Sequence, residues 1–316
     1  MTALRKQAAG LDHSAKKELW RNIKKNRFIY LLLAPGLLWY LIFSYGPMYG
    51  IQLAFKEFMY NKGIWGSPFI GLRNFEYILR DDMFWRAFRN TLTISFGSIL
   101  FTFFIPIVLA ILINELSDGK FKKILQTVYT LPHFFSWIII SGIVMNLLNY
   151  NGAVNNLLAF AGMEKIGFMG TPELFRPLLY GTSIWKEAGW GSIIYLAAIS
   201  SIDPTLYEAA VVDGANRLHR ILHITWPGIQ STVIILLILN VGSVMNAGFD
   251  QIFNLYNPAV YETGDIIDTY IYRVTFQSIS DFGFSTAVGL FKSVINLALL
   301  LSANRFARLF ENGRVF

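Results

Sequence analysis

No Asp, Glu, Lys or Arg occurs between Arg27 and Lys56, Arg89 and Glu115, Lys123 and Glu164, or Arg220 and Asp250. Each stretch holds an apolar run of about 20 residues or more, enough to cross ~30 Å of hydrocarbon as a helix. Helix is the economical backbone there, because in lipid every N–H must find its partner within the segment. Two further apolar runs carry charge: Pro177 to Ser200 contains Lys186 and Glu187, and Phe282 to Asn304 contains Lys292. Taken as crossings too, they give an all-α integral membrane protein with six transmembrane helices, over about 28–50, 91–114, 124–148, 177–200, 231–249 and 283–304.

Composition agrees. Hydrophobic residues make up 54% of the 316 and charged ones only 15%, whereas soluble domains carry charge on about a quarter of theirs. The net charge of +7 would suit nucleic acid in a soluble chain, but in a membrane protein basic excess belongs to cytoplasmic loops and headgroups. Cysteine is absent, so thiol chemistry is excluded.

Lys and Arg also set the orientation. The segments 1–27, 115–123, 201–230 and 305–316 hold 16 basic residues, against 9 in the alternate loops. The first set is therefore expected in the cytoplasm, with both termini inside. Residues 1–27 read as a basic tail and interfacial helix, followed by one membrane domain over 28–316. No signal-peptide cleavage pattern follows the first apolar run. The outer loop Lys56 to Arg89 nearly balances its charges and reads as a small amphipathic cap.

The loop 203–227 is the most informative stretch. Asp203-Pro204 predicts a helix start, with a capping acid and proline in the first turn. Glu208, Ala209 and Ala210 extend that helix, and Gly214 can end it in the left-handed conformation. Leu218, Ile221, Leu222 and Thr225 then resume a helical stripe toward Pro227. Two short helices along the membrane face follow, with small residues at the bend and Glu208 and Asp213 offering charge to a basic partner.

This loop resembles the EAA loop of binding-protein-dependent ABC import permeases: Glu-Ala-Ala, three residues, Gly, nine residues, Ile, two residues, Pro. Glu208, Ala209, Ala210, Gly214, Ile224 and Pro227 match it, and Asp213 and Ala215 fit around the glycine. Gly71-Leu72-Arg73-Asn74-Phe75 and the run Phe84 to Thr91 are similar to the external segment of carbohydrate-uptake permeases, as are Pro132 and Trp185 to Ile199 to parts of their third and fourth spans. The likeness is strongest to permeases for alginate or pectin fragments. It implies the type I importer permease fold and a bacterial inner or plasma membrane. It also implies a second, different permease subunit, two ATPase subunits and an extracytoplasmic solute-binding protein as partners. The coupling helix would be Glu208 to Gly214. ATP and magnesium would sit on the ATPase, and this chain itself has no G-x-x-x-x-G-K-[ST] phosphate loop. No cofactor, metal or catalytic residue is expected in it, and no nucleic-acid partner.

Residues for the solute path are less determined. A charge facing lipid at mid-membrane is costly, so Lys186, Glu187 and Lys292 face either the path or an ion partner, or snorkel to an interface. Asn240, Ser243, Asn246 and Asn296 suit sugar hydroxyls or helix–helix bonds equally, and Asp250 closes the fifth run. Trp185, Trp190, Tyr195, Phe249 and Tyr256 serve either as sugar platforms or as interface and packing aromatics. His219 and His223 have the i, i+4 spacing of a helical zinc pair, but no third ligand accompanies them. His133, beside Pro132, reads as a helix-start or packing residue. A gradient-driven secondary transporter is the alternative. It would show a repeat between halves and helices interrupted near mid-membrane, and neither is read from the residues. A membrane-embedded enzyme would need clustered His or acids inside the spans, which are lacking.

Overall fold

The computed structural model describes residues 21, 22, 24–277 and 281–310, with side chains through Arg305. Most of the expected 1–27 tail lies outside these residues. The described chain is helical, with one isolated bridge between Lys56 and Phe69 in place of any strand.

Five helices are long and apolar enough to cross a membrane. The first, α1, runs Arg27–Phe55. It is followed by α2 (Arg73–Arg80), α3 (Asp82–Thr102), α4 (Phe104–Asn114), α5 (Lys120–Thr130), α6 (Trp137–Leu148) and α7 (Ala153–Phe160). Next come α8 (Pro172–Ser200) and α9 (Pro204–Val212), then α10 (Arg217–Val241). The chain continues through α11 (Phe249–Leu255), α12 (Tyr261–Gly264), α13 (Ile267–Tyr272) and α14 (Phe282–Phe310). The five crossings are α1, α3 with α4, α6 with α7, α10 and α14. The sixth expected span corresponds to α8. Its 29 residues give it a length of ~43 Å, but Lys186, Glu187 and its small polar residues leave it less apolar than the other five.

Proline and glycine decide where the spans break. The run 124–148, read from sequence as one span, is folded as two helices. Leu131–Phe134 forms a 3-10 turn around Pro132, Phe135 is extended, and Ser136 caps α6 by accepting the Ile139 N–H. Pro132 cannot donate to the helical ladder, so the chain turns there and starts afresh. π turns at Leu41–Tyr45 and Ile221–Thr225 each lie just ahead of a proline, Pro47 and Pro227, where the missing N–H is absorbed by a widened turn. The predicted cap over 56–89 packs through α2, whose buried Asn74 donates to the Ala54 carbonyl at 3.0 Å.

The core is three apolar clusters along the bundle. One joins Phe84 and Ala87 of α3 to Ile267 and Tyr270 of α13 and Ala287 and Val288 of α14. A second gathers Ile94, Ile140, Phe175, Leu179, Ile252 and Ile266. A third packs Ile107 and Ala110 against Tyr195, Ile199, Ile229 and Val233. In contrast, α1 leaves Leu32, Trp39 and Phe43 exposed, an exterior suited to hydrocarbon or to another membrane chain.

α8 approaches α5 so closely that a Cβ on Gly189 would lie 2.1 Å from the Tyr129 backbone oxygen. Gly189→Ala is therefore expected to cost about 1–3 kcal/mol through overpacking. Thermal unfolding of the detergent-purified protein reads this, and an unchanged midpoint would refute the close packing.

Candidate functional site

The fifth apolar run does not continue as one helix. α10 ends at Val241, and Val244–Asn246 makes a 3-10 turn. Ala247 and Gly248 are then left-handed, at φ of 45° and 75°, before α11 begins. A non-glycine residue in that conformation is strained by about 1–2 kcal/mol, and such strain collects where structure serves function. The groups freed by the break are paired from other helices. Asn296 of α14 donates to the Gly242 carbonyl at 2.7 Å, and its Oδ1 accepts the Met245 N–H at 3.4 Å. Ser95 of α3 donates its hydroxyl to the Val244 carbonyl. Asn296→Leu leaves the half-buried Gly242 carbonyl and the Met245 N–H without these partners and is expected to cost about 1–3 kcal/mol. Thermal unfolding measures this, and a variant as stable as the parent would count against the bracing role.

The break opens onto a cavity of about 280 Å³ between α3, α6, α8 and α11. Ser95, Ser98, Ser183, Glu187, Asn240, Ser243, Asn246 and Gln251 bring polar groups to it, with Trp137 and Tyr180 as aromatic walls. Gln251 is nine-tenths buried and fixed by its amide to the Leu179 carbonyl at 2.7 Å and Thr182 Oγ1 at 2.8 Å. A hydroxyl- and amide-lined space with aromatic sides matches the chemistry of a polyhydroxylated solute.

Glu187 also faces a neighbouring cleft with Trp137, Lys186, Asp250 and Asn254. There Lys186 is buried. Its Nζ donates to the His133 carbonyl at 2.7 Å, lies 3.2 Å from Glu187 Oε1, and sits over the Trp137 ring. His133 Nδ1 meets Glu187 Oε2 at 2.7 Å, and its ring stacks on Trp190 at 4.5 Å. Lys186 thus closes the Pro132 turn while its charge is compensated.

The remaining path candidates disperse. Lys292 binds both Asp268 oxygens at 2.6 and 2.8 Å, bridging α14 to α13. Tyr195 is packed in the third apolar cluster. Asn296 braces the break. Of the candidates, Glu187, Asn240, Ser243 and Asn246 line the main cavity. Sequence reasoning misses Ser95, Ser98, Ser183, Gln251 and Trp137. Ser95 and Ser98 of α3 stand one helical turn apart, as do Ser183 and Glu187 of α8. A scan for polar rows at helical spacing on apolar spans would find them.

In the loop between α8 and α10, α9 starts as its sequence predicts. Asp203 accepts the Thr205 N–H at 3.0 Å, and this bond holds its carboxyl below the usual range. It ends in a Schellman motif: the Ala215 N–H donates to the Ala210 carbonyl at 2.8 Å and the Gly214 N–H to Val211 at 3.1 Å, with Gly214 at φ 74°. Asn216 then caps α10 by accepting the His219 N–H at 2.8 Å. Tyr207 Oη and the buried Thr225 Oγ1 pair at 2.9 Å and tie α9 to α10. Glu208, Ala209, Asp213, Gly214 and Pro227 are exposed, with Ala210 and Ala215 half-buried. Beside them Val211 and Val212 are exposed, the latter by 86%. This small-residue, partly apolar surface protrudes without a partner among the described residues. His219 and His223 stack at 4.2 Å, and His223 Nδ1 is spent on the His219 carbonyl at 3.0 Å.

On the other side of the bundle, Asp265 is fully buried and bound by Arg273 at 3.0 and 2.6 Å and by Thr269 Oγ1 at 2.9 Å. The bonds it donates to Asp265 raise the Arg273 pKa above its usual value. Asp81 caps α3 by accepting the Met83 N–H at 2.8 Å and also accepts the Tyr270 hydroxyl.

Residues 102–313 match the family model described as the binding-protein-dependent transport system inner membrane component. The chain is 41% identical over 295 residues to protein LplB of Bacillus subtilis, covering 93% of this chain and 92% of that one. It is 41% identical over 302 residues to the polygalacturonan/rhamnogalacturonan transport system permease protein YteP of the same organism, covering 95% and 94%. Among solved structures, it resembles a chain of a bacterial ABC transporter involved in the import of the acidic polysaccharide alginate. The TM-score is 0.85 with 43% identity, over 92% of this chain and 98% of that one. A chain of the alginate transporter in complex with alginate pentasaccharide-bound periplasmic protein matches at TM-score 0.86 with 42% identity, over 94% and 99%. The chain therefore belongs to the binding-protein-dependent transport system inner membrane components, the ABC importer permeases whose coupling loop its residues 203–227 resemble.

Proposed function

We propose that this chain is a permease subunit of an ATP-driven importer that moves an oligosaccharide handed over by an extracytoplasmic binding protein. The observation that carries this reading is the protruding, glycine-terminated α9, with its small and apolar residues exposed toward a partner. It is supported by the hydroxyl- and amide-lined cavity at the broken fifth span, and by relatives named for polygalacturonan and alginate transport. The α9 loop seats in a cleft of a separate ATPase subunit, which supplies ATP and magnesium. A second permease chain completes the path. Closure of the ATPase pair draws the two loops together, and the spans rock as rigid bodies so that the cavity faces alternately outward and inward. Glu208 to Gly214 transmit force and perform no bond chemistry.

The test is reconstitution of this chain with its genomically neighbouring permease, ATPase and binding protein in liposomes. ATP-dependent accumulation of oligosaccharide is expected, with none when ATP or the binding protein is left out. One observation favours a second reading. The interrupted fifth span, with its polar cavity, resembles the broken helices of gradient-driven carriers. Uptake by the purified chain alone, driven by an ion gradient without ATP, would establish that reading instead.

A further inference from the structure

Outward of the main cavity, α3 and α8 enclose a second cleft of about 450 Å³, lined by Trp85, Arg86, Arg89 and Asn90 of α3, Arg176 of α8 and residues of α12. It lies along the same two helices as the cavity. Along α3, Arg86, Asn90, Ile94 and Ser98 follow at one-turn steps, and along α8 Arg176, Tyr180, Ser183 and Glu187 do so, the last two of each row lining the inner cavity. A layer of Asn90, Ile94 and Leu179, each almost fully buried, separates the two spaces.

The arginines are the notable feature. Arg176 is held in place by donating Nε–H to the Thr263 carbonyl at 3.1 Å and an Nη2 proton to Asn90 Oδ1 at 2.9 Å, both neutral acceptors. Arg86 Nε is buried without a hydrogen-bond partner. Asp82 and Glu262 border the cleft, yet among the described residues no ion pair joins either of them to Arg86, Arg89 or Arg176. Three enclosed cations elsewhere, Lys186, Lys292 and Arg273, are each paired to a carboxylate, whereas Arg220 Nε, like Arg86 Nε, is buried without a hydrogen-bond partner. Three guanidinium groups left without a carboxylate at the outer end of these two helices await an anion from outside. A planar fork of N–H donors matches a carboxylate in bidentate fashion. Trp85, fixed by its indole N–H on the Leu79 carbonyl at 3.0 Å, adds an aromatic wall for a sugar ring.

We propose that this cleft is a carboxylate subsite that receives an acidic, uronate-bearing oligosaccharide before it enters the inner cavity. The proposal rests on the importer reading and adds to it the charge of the solute. The inner cavity has no uncompensated cation, so on this chain the sugar acid is recognised at the outer cleft, and hydroxyls are recognised further in.

The test uses the whole transporter, with both permease chains and the ATPases, in nanodiscs without ATP. It is titrated by calorimetry with trigalacturonate and with its methyl ester, which has the same length and no charge. Trigalacturonate is expected to bind more tightly than the ester. The R86Q/R89Q double variant should weaken trigalacturonate by about tenfold or more, the usual scale for loss of a charged hydrogen bond, and bring it level with the ester. R86K/R89K, which keeps the charge, should recover part of the loss, and gel filtration checks that the variants assemble. Equal affinity of the two probes for the unaltered transporter, or trigalacturonate binding that survives R86Q/R89Q, would overturn the subsite. So would a double variant that loses affinity for the sugar-free binding protein while trigalacturonate binding is unchanged, because the arginines would then dock protein. ATP-dependent uptake of a neutral oligosaccharide with no trigalacturonate binding would remove the subsite and leave the importer standing. Absence of any ATP-dependent uptake would remove the importer reading itself.

Discussion

Gly214→Val is expected to reduce ATP-driven uptake by about tenfold or more, because the residue that ends α9 must hold a left-handed backbone. Gly214 sits at φ 74°, and the two hydrogen bonds that close α9 depend on the turn it makes. A Cβ at this position would have no neighbouring atom within 4 Å, so space is not the obstacle. The penalty is conformational. It is ~1–2 kcal/mol for an L-residue in that region, and greater for a β-branched side chain. If only the native turn fits the ATPase cleft, about 1.4 kcal/mol against it lowers the docked population tenfold. Asparagine tolerates the left-handed conformation, so Gly214→Asn should retain most of the uptake. Uptake and ATP hydrolysis by the reconstituted complex are the readouts. Valine and asparagine variants that transport equally would show that the turn does not carry the coupling.

Asp265→Ala is expected to be more destabilising than Gly189→Ala or Asn296→Leu, at roughly 3–5 kcal/mol, the scale for removing one partner of a buried ion pair. The Asp265 carboxylate has no solvent exposure and accepts three hydrogen bonds, two from Arg273 and one from Thr269. Without it, the largely enclosed Arg273 keeps its charge above the Tyr261 and Tyr270 rings with no anion to balance it. The full cost applies to a dry site, and the 17% exposure of the Arg273 side chain places the expectation toward the lower end of that range. Replacing both residues with apolar ones should restore much of the lost stability, since the desolvation penalty leaves with the pair. Thermal unfolding of the detergent-solubilised chain measures both. A double variant no more stable than Asp265→Ala would mean that the pair holds α12 and α13 by geometry and not by charge balance.

The course of the spans and the design of α9 were legible in the residues themselves. Charge-free runs can only be lipid-solvated helix or core, and the Asp203-Pro204 start and Gly214 stop act within a few residues of their own positions. The type of each element follows from local chemistry of this kind. Where the helices break was half legible: Pro132 marks its turn, whereas the break at Gly242 to Gly248 includes an alanine in the left-handed region that no propensity suggests.

The polar residues inside the spans were not legible in the same way. A buried Lys or Asn serves a ligand or another helix according to what stands opposite, and the partners are remote in sequence. Lys186 answers the His133 carbonyl, Asn296 the Gly242 carbonyl, and Lys292 the Asp268 carboxylate. The arginines of the outer cleft read only as members of a charged loop until α8 and α12 were folded against α3. The sequence by itself determined that the chain is a helical membrane protein with a capped helix in its 203–227 loop, because those features depend on solvation and on neighbours one turn away. Tertiary structure alone decided which polar groups remain free to meet a solute, because a hydrogen bond between distant helices leaves no trace in either helix's own pattern.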